Sequence, residues 1–374
     1  MEFIPVNEPL LNGNEKKYLC ECIDTGWISS EGPFVVEFEK RMSSMMNRRY
    51  GIAVSNGTAA LEVAAMAIGI QEGDEVIMPT FTIISCAMAI TKLGGVPVLV
   101  DSNPNTWNMN VEEIEKKITK RTKAIMIVHL YGLPAEVDKI LELAEKYHLK
   151  VIEDAAEMHG QTYKRKPCGS FGDISTFSFY PNKHITTGEG GMVVTDDEEL
   201  AKRCRYLRNL CFRPDVRYVH DEISGNYRFT NLQAAVGLAQ IERIDEFVER
   251  KRKMGRYYTD QFDNIAGLIL PVRETEYAEN IYWVYGMVLD KDIGITNREF
   301  VKLLAEEGVG SRTFFWCIHE QPVYQKDGFF LNEEYKNAEY LARKGFYIPS
   351  GLALTEKQME EVVRKVRKVM EKVK

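Results

Sequence analysis

Residues 178–192 read Ser-Phe-Tyr-Pro-Asn-Lys-His-Ile-Thr-Thr-Gly-Glu-Gly-Gly-Met. A single lysine, Lys183, stands here between an aromatic-rich flank and a glycine-rich flank. A lysine becomes a nucleophile when burial lowers its pKa, and the commonest use of such a lysine is a Schiff base to an aldehyde. The stretch therefore predicts a carbonyl-capturing amine at Lys183, with pyridoxal 5'-phosphate as the leading aldehyde.

A second segment contains the other group that this cofactor requires. The run Lys150-Val151-Ile152-Glu153-Asp154 is typical of a buried strand that ends in a carboxylate. Pyridoxal phosphate needs an acidic partner for its pyridine nitrogen, and Asp154 fits that role. Glu157 and His159 follow shortly after and are candidates to support Asp154. A lone histidine such as His159 is, however, more often structural.

The cofactor phosphate has its own candidate site in the loop Ser55-Asn56-Gly57-Thr58. This loop precedes a predicted helix, where free N–H groups and the helix dipole favour an anion. Ordinary capping by Ser55 or Asn56 is the alternative. Ser178 is a further hydroxyl for the same phosphate, although a strand-edge serine is the competing interpretation. The glycines at 188–191 lack the Lys-Ser/Thr of a P-loop, which argues against nucleotide hydrolysis.

Size and composition set the general class. With 374 residues, we expect an α/β protein of two domains, a large cofactor-binding domain at 1–245 and a smaller α+β domain at 246–374. The net charge of -7 argues against a nucleic-acid partner. The sequence has neither a signal peptide nor a membrane-length apolar run, so we expect a cytoplasmic protein without a membrane partner. Its seven scattered cysteines suggest neither a disulfide framework nor a metal site.

The first two hundred residues alternate between short apolar strands and helices, as a mostly parallel central sheet requires. Strands are predicted at 75–79, 96–101, 124–128 and 151–154, and helices at 37–46, 58–68, 111–118 and 137–147. Ligands gather at the carboxyl ends of such strands. Further along the chain, a long charged helix at 241–262 is predicted to connect the two domains.

Several other side chains are candidate ligand contacts. Phe81 follows a strand and is a candidate to stack on the cofactor ring, although an aromatic residue there is as often part of the core. The candidates for substrate contact are polar or aromatic residues in predicted loops or beside Lys183, namely Trp27, Ser29, His159, His184, His220, Arg228 and His319.

With these residues in view, the chain resembles the DegT/DnrJ/EryC1/StrS sugar aminotransferases, a group of fold-type I pyridoxal phosphate enzymes similar in fold to aspartate aminotransferase. The resemblance runs nearly end to end. Its motifs are Thr25-Gly26-Trp27-Ile28-Ser29-Ser30, residues 55–61, 73–79, 151–160 and 169–173, the Lys183 segment, and Asn226-Tyr227-Arg228. Several ordered motifs of this kind are highly specific.

The resemblance implies a reaction and a set of roles. An amino group from L-glutamate would be held as pyridoxamine 5'-phosphate and passed to C4 of a nucleotide-linked 4-keto-6-deoxyhexose. Lys183 would bind the cofactor and move the proton, with Asp154 at the pyridine nitrogen and Glu157 at the phenolic oxygen. Gly57, Thr58 and Ser178 would hold the phosphate.

The resemblance also implies a homodimer with shared active sites, since Asn226 matches a residue that reaches the phosphate of the neighbouring subunit. The sequence departs from the family pattern at Pro181, at Ser224-Gly225 and at Leu133. These positions leave the nucleotide (GDP, UDP or dTDP) and the hexose open. The alternatives are a 3-keto-sugar aminotransferase, a lysine-independent deoxygenating enzyme and a cofactor-binding sensor without turnover.

Overall fold

The computed structural model of the chain describes residues 3–213, 215–216 and 218–373. The strands are β1 (Tyr50–Val54), β2 (Glu75–Pro79), β3 (Val96–Val100), β4 (Thr122–Val128), β5 (Lys150–Asp154), β6 (Thr162–Tyr163), β7 (Lys166–Pro167), β8 (Ile174–Ser178), β9 (Gly191–Thr195), β10 (Leu268–Ile269), β11 (Tyr285–Leu289), β12 (Arg312–Thr313) and β13 (Gly345–Ile348). The helices are α1 (Glu15–Thr25), α2 (Pro33–Met45), α3 (Gly57–Ala67), α4 (Ile84–Thr91), α5 (Val137–Tyr147), α6 (Glu198–Arg208), α7 (Asn231–Ile241), α8 (Ile244–Phe262), α9 (Asn297–Glu306), α10 (Pro322–Lys326), α11 (Lys336–Lys344) and α12 (Glu356–Val373).

The central sheet has seven strands in the order β1-β9-β8-β5-β4-β2-β3. All neighbours are parallel except β9, which runs antiparallel to both β1 and β8. Alternate residues of β4 enter two different apolar clusters, with Met126 in one and Ile125 and Ile127 in the other. Both faces of the sheet are therefore covered, which explains why its strands are short continuous apolar runs rather than alternating ones.

The sequence predicted most of these elements closely, since β2 and α5 have the expected bounds. The helix expected at 111–118 is wrong, because the structure has two 3₁₀ turns there, Val111–Glu113 and Glu115–Lys117. Their amides bond to the carbonyl three residues back, as in Ile114 N–H to Val111 O at 3.2 Å. Val111 and Ile114 are both buried, and this spacing of three suits the tighter turn.

Strands β10 to β13 form a second sheet in the order β10-β11-β13-β12, with all pairs antiparallel, and β6 and β7 form a separate two-stranded sheet. A third apolar cluster lies here, with Tyr258 and Phe262 from α8 and Val362 and Val366 from α12. The predicted boundary at 245/246 falls in the first turn of α8, after the last strand of the central sheet and before β10. None of the described helices has the length and apolarity to cross a membrane.

Candidate active site

One cavity of about 830 Å³ opens at the carboxyl ends of β4, β5 and β8, beside the first turn of α3. Its volume is that of a typical small-molecule site. Its place in the fold follows from the parallel strands, whose carboxyl ends lie at one edge of the sheet. The walls include Ser55, Asn56, Gly57, Thr58, Glu62, Ile83, Ser85, Asp154, Glu157, Ser178, Tyr180, Lys183, Asn226, Tyr227, Trp283, Phe315 and Tyr347.

Lys183 enters this cavity from the connection between β8 and β9. A turn with a hydrogen bond from Lys183 N–H to Tyr180 O (2.9 Å) directs it there. The side chain is only 10% exposed, and its Nζ lies 3.7 Å from Oε1 of Glu157. Burial lowers the pKa of Lys183, while the nearby Glu157 and Asp154 act in the opposite direction. Burial therefore favours the unprotonated, nucleophilic form of this amine.

Asp154 ends β5 and is buried. Its Oδ1 accepts a hydrogen bond from Ala156 N–H (3.0 Å), and its Oδ2 accepts one from the Cys86 thiol (3.3 Å). Burial raises the pKa of Asp154, and no residue that the structure describes forms a salt bridge with it. A buried carboxylate that faces the cavity without a salt-bridge partner among the described residues suits a protonated ring nitrogen, which would supply an ionic partner.

Glu157 lies three residues further on, with its Oε2 2.6 Å from the N–H of Tyr131. Burial is the main reason why the pKa of Glu157 rises to about 8, against the opposing effect of Lys183. Glu157 is thus largely a carboxylic acid at neutral pH. It can donate a hydrogen bond to an oxygen in the cavity, which suits the phenolic oxygen of the cofactor.

The first turn of α3 forms the anion-binding end of the cavity. Asn56 caps this helix through its Oδ1, which accepts from Ala59 N–H (2.8 Å), so the capping alternative holds for that residue. A Cβ on Gly57 would lie 2.7 Å from Cβ of Ser178, which shows how closely the loop approaches β8. Thr58 Oγ1 lies 2.9 Å from Ser85 Oγ. These hydroxyls and the helix terminus together fit a phosphate.

The residues present therefore fit pyridoxal phosphate at three points: an amine, a carboxylate for the ring nitrogen and an anion site. The predicted cofactor residues Gly57, Thr58, Asp154, Glu157 and Ser178 all line the one cavity with Lys183. Asn226 also lies on the wall of this chain's own cavity. Its expected reach to the cofactor of a partner subunit stays a prediction.

Phe81 does not take the place expected for a ring that stacks on the cofactor. It is fully buried among Tyr131, Phe314 and Phe315 and does not line the cavity. The core alternative is the correct one, because Phe81 turns into an aromatic cluster just after β2. Ile83, 44% exposed, lies on the wall instead.

Three histidines expected to contact substrate are buried and do not line the cavity, and their contact with substrate stays a prediction. His159 lies between Phe177 and Phe179, at 5.4 Å from each ring, and burial lowers its pKa to about 3. His184 bonds through Nε2 to Ile281 O (3.3 Å). His319 lies 2.7 Å from Thr80 Oγ1. Each of the three packs against neighbouring elements of the fold.

The other four candidates for substrate contact lie outside the cavity wall, nearer the surface. Trp27 is 51% exposed, and its carbonyl accepts from Asn231 Nδ2 (2.7 Å). The carbonyl of Ser29 accepts from Asn231 N–H (2.8 Å). His220 Nδ1 lies 2.7 Å from Leu210 O, and Arg228 donates to Asn209 Oδ1 (2.7 Å). Their contact with substrate stays a prediction.

Some wall residues were not expected from the sequence. Trp283 and Tyr347 belong to the second sheet and its approach, over a hundred residues after Asp154. Ser85 lies in the first turn of α4, and only the contact of its hydroxyl with Thr58 marks it as part of the site. No local pattern marks these residues, because only the packing of the two sheets brings them to the cavity.

His129, Glu153 and Cys168 form a buried cluster with potential metal ligands within 4.8 Å of one another. The side chains of His129 and Glu153 already have hydrogen-bond partners within the protein. His129 Nδ1 accepts from Ala135 N–H (3.0 Å), and Nε2 lies 3.0 Å from Glu153 Oε1. Glu153 also accepts from the N–H groups of Gly169 and Phe171 and from Ser175 Oγ. These contacts explain the cluster as a structural network.

Comparison with known proteins agrees with this geometry. The sequence model of the DegT/DnrJ/EryC1/StrS aminotransferase family matches residues 9–367. The chain is 43% identical to the GDP-perosamine synthase of Escherichia coli O157:H7, over 96% of each chain. It is 41% identical to the GDP-perosamine synthase of Caulobacter vibrioides, over 98% of each. The fold matches the PLP form of the putative sugar aminotransferase Spr1654 from Streptococcus pneumoniae, with a TM-score of 0.93, 26% identity and 100% of each chain covered.

Proposed function

The chain belongs to the DegT/DnrJ/EryC1/StrS aminotransferase family, and on that premise we propose that it converts GDP-4-keto-6-deoxy-D-mannose to GDP-perosamine, with L-glutamate as the amino donor. Family membership confirms the expected fold-type I architecture, the pyridoxal phosphate cofactor and the class of sugar aminotransferase. The chain is thus an enzyme, and the sensor hypothesis is set aside.

The observation that carries the proposed chemistry is the placement of Lys183 with two buried carboxylic groups in one cavity. When bound, pyridoxal phosphate supplies an electron sink that stabilises negative charge on the carbon next to the nitrogen. Nζ of Lys183 then acts as general base and acid, removing a proton from one carbon and returning it to another. Asp154 keeps the ring nitrogen protonated, so that the ring withdraws electrons.

The other wall residues bind and orient. The first turn of α3, Thr58 and Ser178 hold the phosphate in place. Glu157, as a carboxylic acid near neutral pH, donates a hydrogen bond toward the phenolic oxygen. The apolar side chains of Trp283 and Phe315 also line the cavity and exclude water, which strengthens these electrostatic contacts.

The proposed sugar rests on the relatives, since the GDP-perosamine synthases match this chain along almost their whole length. The competing acceptors are UDP- or dTDP-linked 4-keto sugars and 3-keto sugars. The product would be a building block for a surface polysaccharide such as an O-antigen.

We also propose that the chain forms a homodimer. Val219 is 40% and Ile223 99% exposed just before Asn226, and a second copy of the chain would cover this apolar surface.

A visible absorption spectrum of the purified holoenzyme tests this function. Glutamate should bleach the cofactor band, and GDP-4-keto-6-deoxymannose should restore it. Restoration only by a UDP- or dTDP-linked sugar would retain the aminotransferase and overturn the perosamine assignment. Nuclear magnetic resonance of the product distinguishes amination at C4 from amination at C3.

A further inference from the structure

The indole of Trp283 lies directly over the amine of Lys183. Nζ is 3.7 Å from the centroid of the ring, well inside the range of a cation–π contact. Trp283 lines the cavity although only 4% of it is exposed. Trp offers the strongest π face of any side chain, so this position favours the protonated amine.

The backbone of Trp283 is anchored on two sides. Nζ of the buried Lys251 donates to Trp283 O at 2.8 Å and also to Ser350 O. On the other side, Gly132 approaches so closely that a Cβ there would lie 2.7 Å from Trp283 N. The preceding Tyr282 has φ +49, a conformation rarely adopted by an L-residue. Such an arrangement persists only where the surroundings enforce it.

The ring itself is held as firmly. Nε1 donates to Asn182 O at 2.9 Å, so the indole is tied to the residue next to Lys183. Tyr131 stacks at 5.9 Å and 4° on the indole, and Phe315 lies at 6.4 Å and 14°. These contacts hold the ring in one orientation, and the amine of Lys183 lies over its face.

We infer that the Lys183 ammonium lies over the indole face of Trp283 whenever this amine is not joined to the cofactor. Trp283 is therefore a positioning residue for the reacting lysine. The inference rests on the proposed role of Lys183. In a reaction with two halves, the lysine is released in each half and must return to the same place. The indole face stabilises the released ammonium in addition to Glu157, whose Oε1 lies 3.7 Å from the same Nζ.

Other titratable groups also face Lys183, and the test has to separate their effects. The acidic groups are Glu157, Asp154 and Cys86, and the basic ones are His159 and His184. Burial raises the pKa of Glu157 to about 8 and lowers that of His159 to about 3. At neutral pH neither contributes a full charge. The substitutions below leave all five groups in place.

The test measures how the cofactor-free full chain takes up pyridoxal phosphate at different pH values. Only the unprotonated amine reacts, so the midpoint of the rate against pH reports the pKa of free Lys183. The variants are Trp283→Phe, Trp283→Leu and Trp283→Met, with Trp316→Leu as the matched control. Trp316 flanks Arg298 and Arg343 and does not line the cavity. Circular dichroism checks the fold of each variant.

We expect Trp283→Leu and Trp283→Met to lower the midpoint of the uptake rate against pH by about 0.5–1.5 pH units, because the Lys183 ammonium loses the π face of the indole. Trp283→Phe keeps an aromatic face but loses the hydrogen bond from Nε1 to Asn182 O. Its midpoint should therefore lie between those of the wild type and Trp283→Leu. Trp316→Leu should match the wild type. The inference is overturned if the midpoints of Trp283→Leu and Trp283→Met equal that of the wild type, or if the midpoint of Trp283→Phe shifts as far as that of Trp283→Leu. If Trp283→Leu does not fold, Trp283→Met alone provides the comparison with the wild type.

Borohydride reduction followed by peptide mass analysis tests the underlying function separately. The wild type should retain the cofactor on Lys183. Attachment at another residue would overturn the proposed role of Lys183, whatever the Trp283 variants show. Attachment at Lys183 together with unshifted midpoints would overturn only the inference on Trp283.

Discussion

Nζ of Lys183 lies 3.7 Å from Oε1 of Glu157, and both side chains are at least nine-tenths buried. Burial disfavours the charged form of each group, so it lowers the pKa of Lys183 and raises that of Glu157. The attraction between the charged forms opposes both shifts. These opposed effects leave an amine and a carboxylic acid close together in one cavity, an arrangement suited to acid–base chemistry.

Replacement of the lysine should remove the reaction. Lys183→Ala has no amine to hold the cofactor or to move the proton, and we expect the glutamate half-reaction to slow by about 10²–10⁴-fold at saturating cofactor. Stopped-flow absorbance measures this rate. Lys357→Ala, on the exposed face of α12, is the control and should behave as the wild type. Turnover of Lys183→Ala at the wild-type rate would contradict the proposed mechanism.

Asp154→Asn keeps the shape of the side chain but removes its charge. The ring nitrogen then loses its ionic partner, and we expect kcat to fall on the order of 10²–10³-fold, as for the loss of one preorganised electrostatic group. The cofactor band should remain, because Lys183 is intact. Steady-state kinetics with glutamate give the rate, and the exposed Asp292→Asn serves as the control. An unchanged kcat would show that the ring nitrogen has another partner.

The phosphate site depends on the absence of a side chain at Gly57. A Cβ there would lie 2.7 Å from Cβ of Ser178, so Gly57→Ala must displace the loop from β8. We expect the Kd for pyridoxal phosphate to rise at least about tenfold, the effect of losing one or two hydrogen bonds to a charged group. Gly294→Ala is the matched control, because nothing lies within 4 Å of a Cβ at that position. Equal affinities in equilibrium dialysis would argue against this site.

These positions show what the sequence could and could not predict. Gly57, Asp154, Glu157 and Ser178 lie at or just beyond strand ends, and parallel strands bring their carboxyl ends together whatever the details of packing. Trp283 reaches the cavity only through the docking of the second sheet, which no local pattern encodes. His159 and Phe81 are near functional residues in the sequence, but their side chains turn into the core. Direction of a loop side chain depends on tertiary contacts.

Glu157 should make the stability of the cofactor-free protein depend on pH. Its pKa is about 8 in the folded protein and 4.5 ordinarily. Between these values the folded state holds a proton that the unfolded chain has released, so stability falls as pH rises through this window. Glu157→Gln removes the titration and should be about 1–2 kcal/mol more stable than the wild type at pH 8.

Near pH 4.5 the two proteins should differ little, since the acid is protonated in the folded wild type. Urea unfolding at both pH values measures the difference, with Glu371→Gln at the exposed end of α12 as the control. A stability difference that does not change between the two pH values would contradict the raised pKa of Glu157.

Lys251 should make the stability of the folded protein change with pH in the opposite direction. Burial lowers its pKa to about 7 from 10.5, so between these values the unfolded chain holds a proton that the folded protein lacks. Stability from this group therefore increases as pH rises from 7 toward 10.5. Lys251→Met removes that increase and also the hydrogen bonds to Trp283 O and Ser350 O, which should cost about 1–3 kcal/mol at pH 9.5.

At pH 6.5 the loss of stability caused by Lys251→Met should be smaller, because at that pH the wild type has to bury a charged ammonium without a carboxylate partner. Urea unfolding of wild type and variant at pH 6.5 and 9.5 gives both differences. Lys253→Met is the control on the same helix: its amine is exposed and pairs with Glu356, so its effect should be within about 1 kcal/mol. A loss from Lys251→Met that is equal at both pH values would mean that Lys251 stays charged in the folded protein, and that its contacts to the two carbonyls are those of an ammonium.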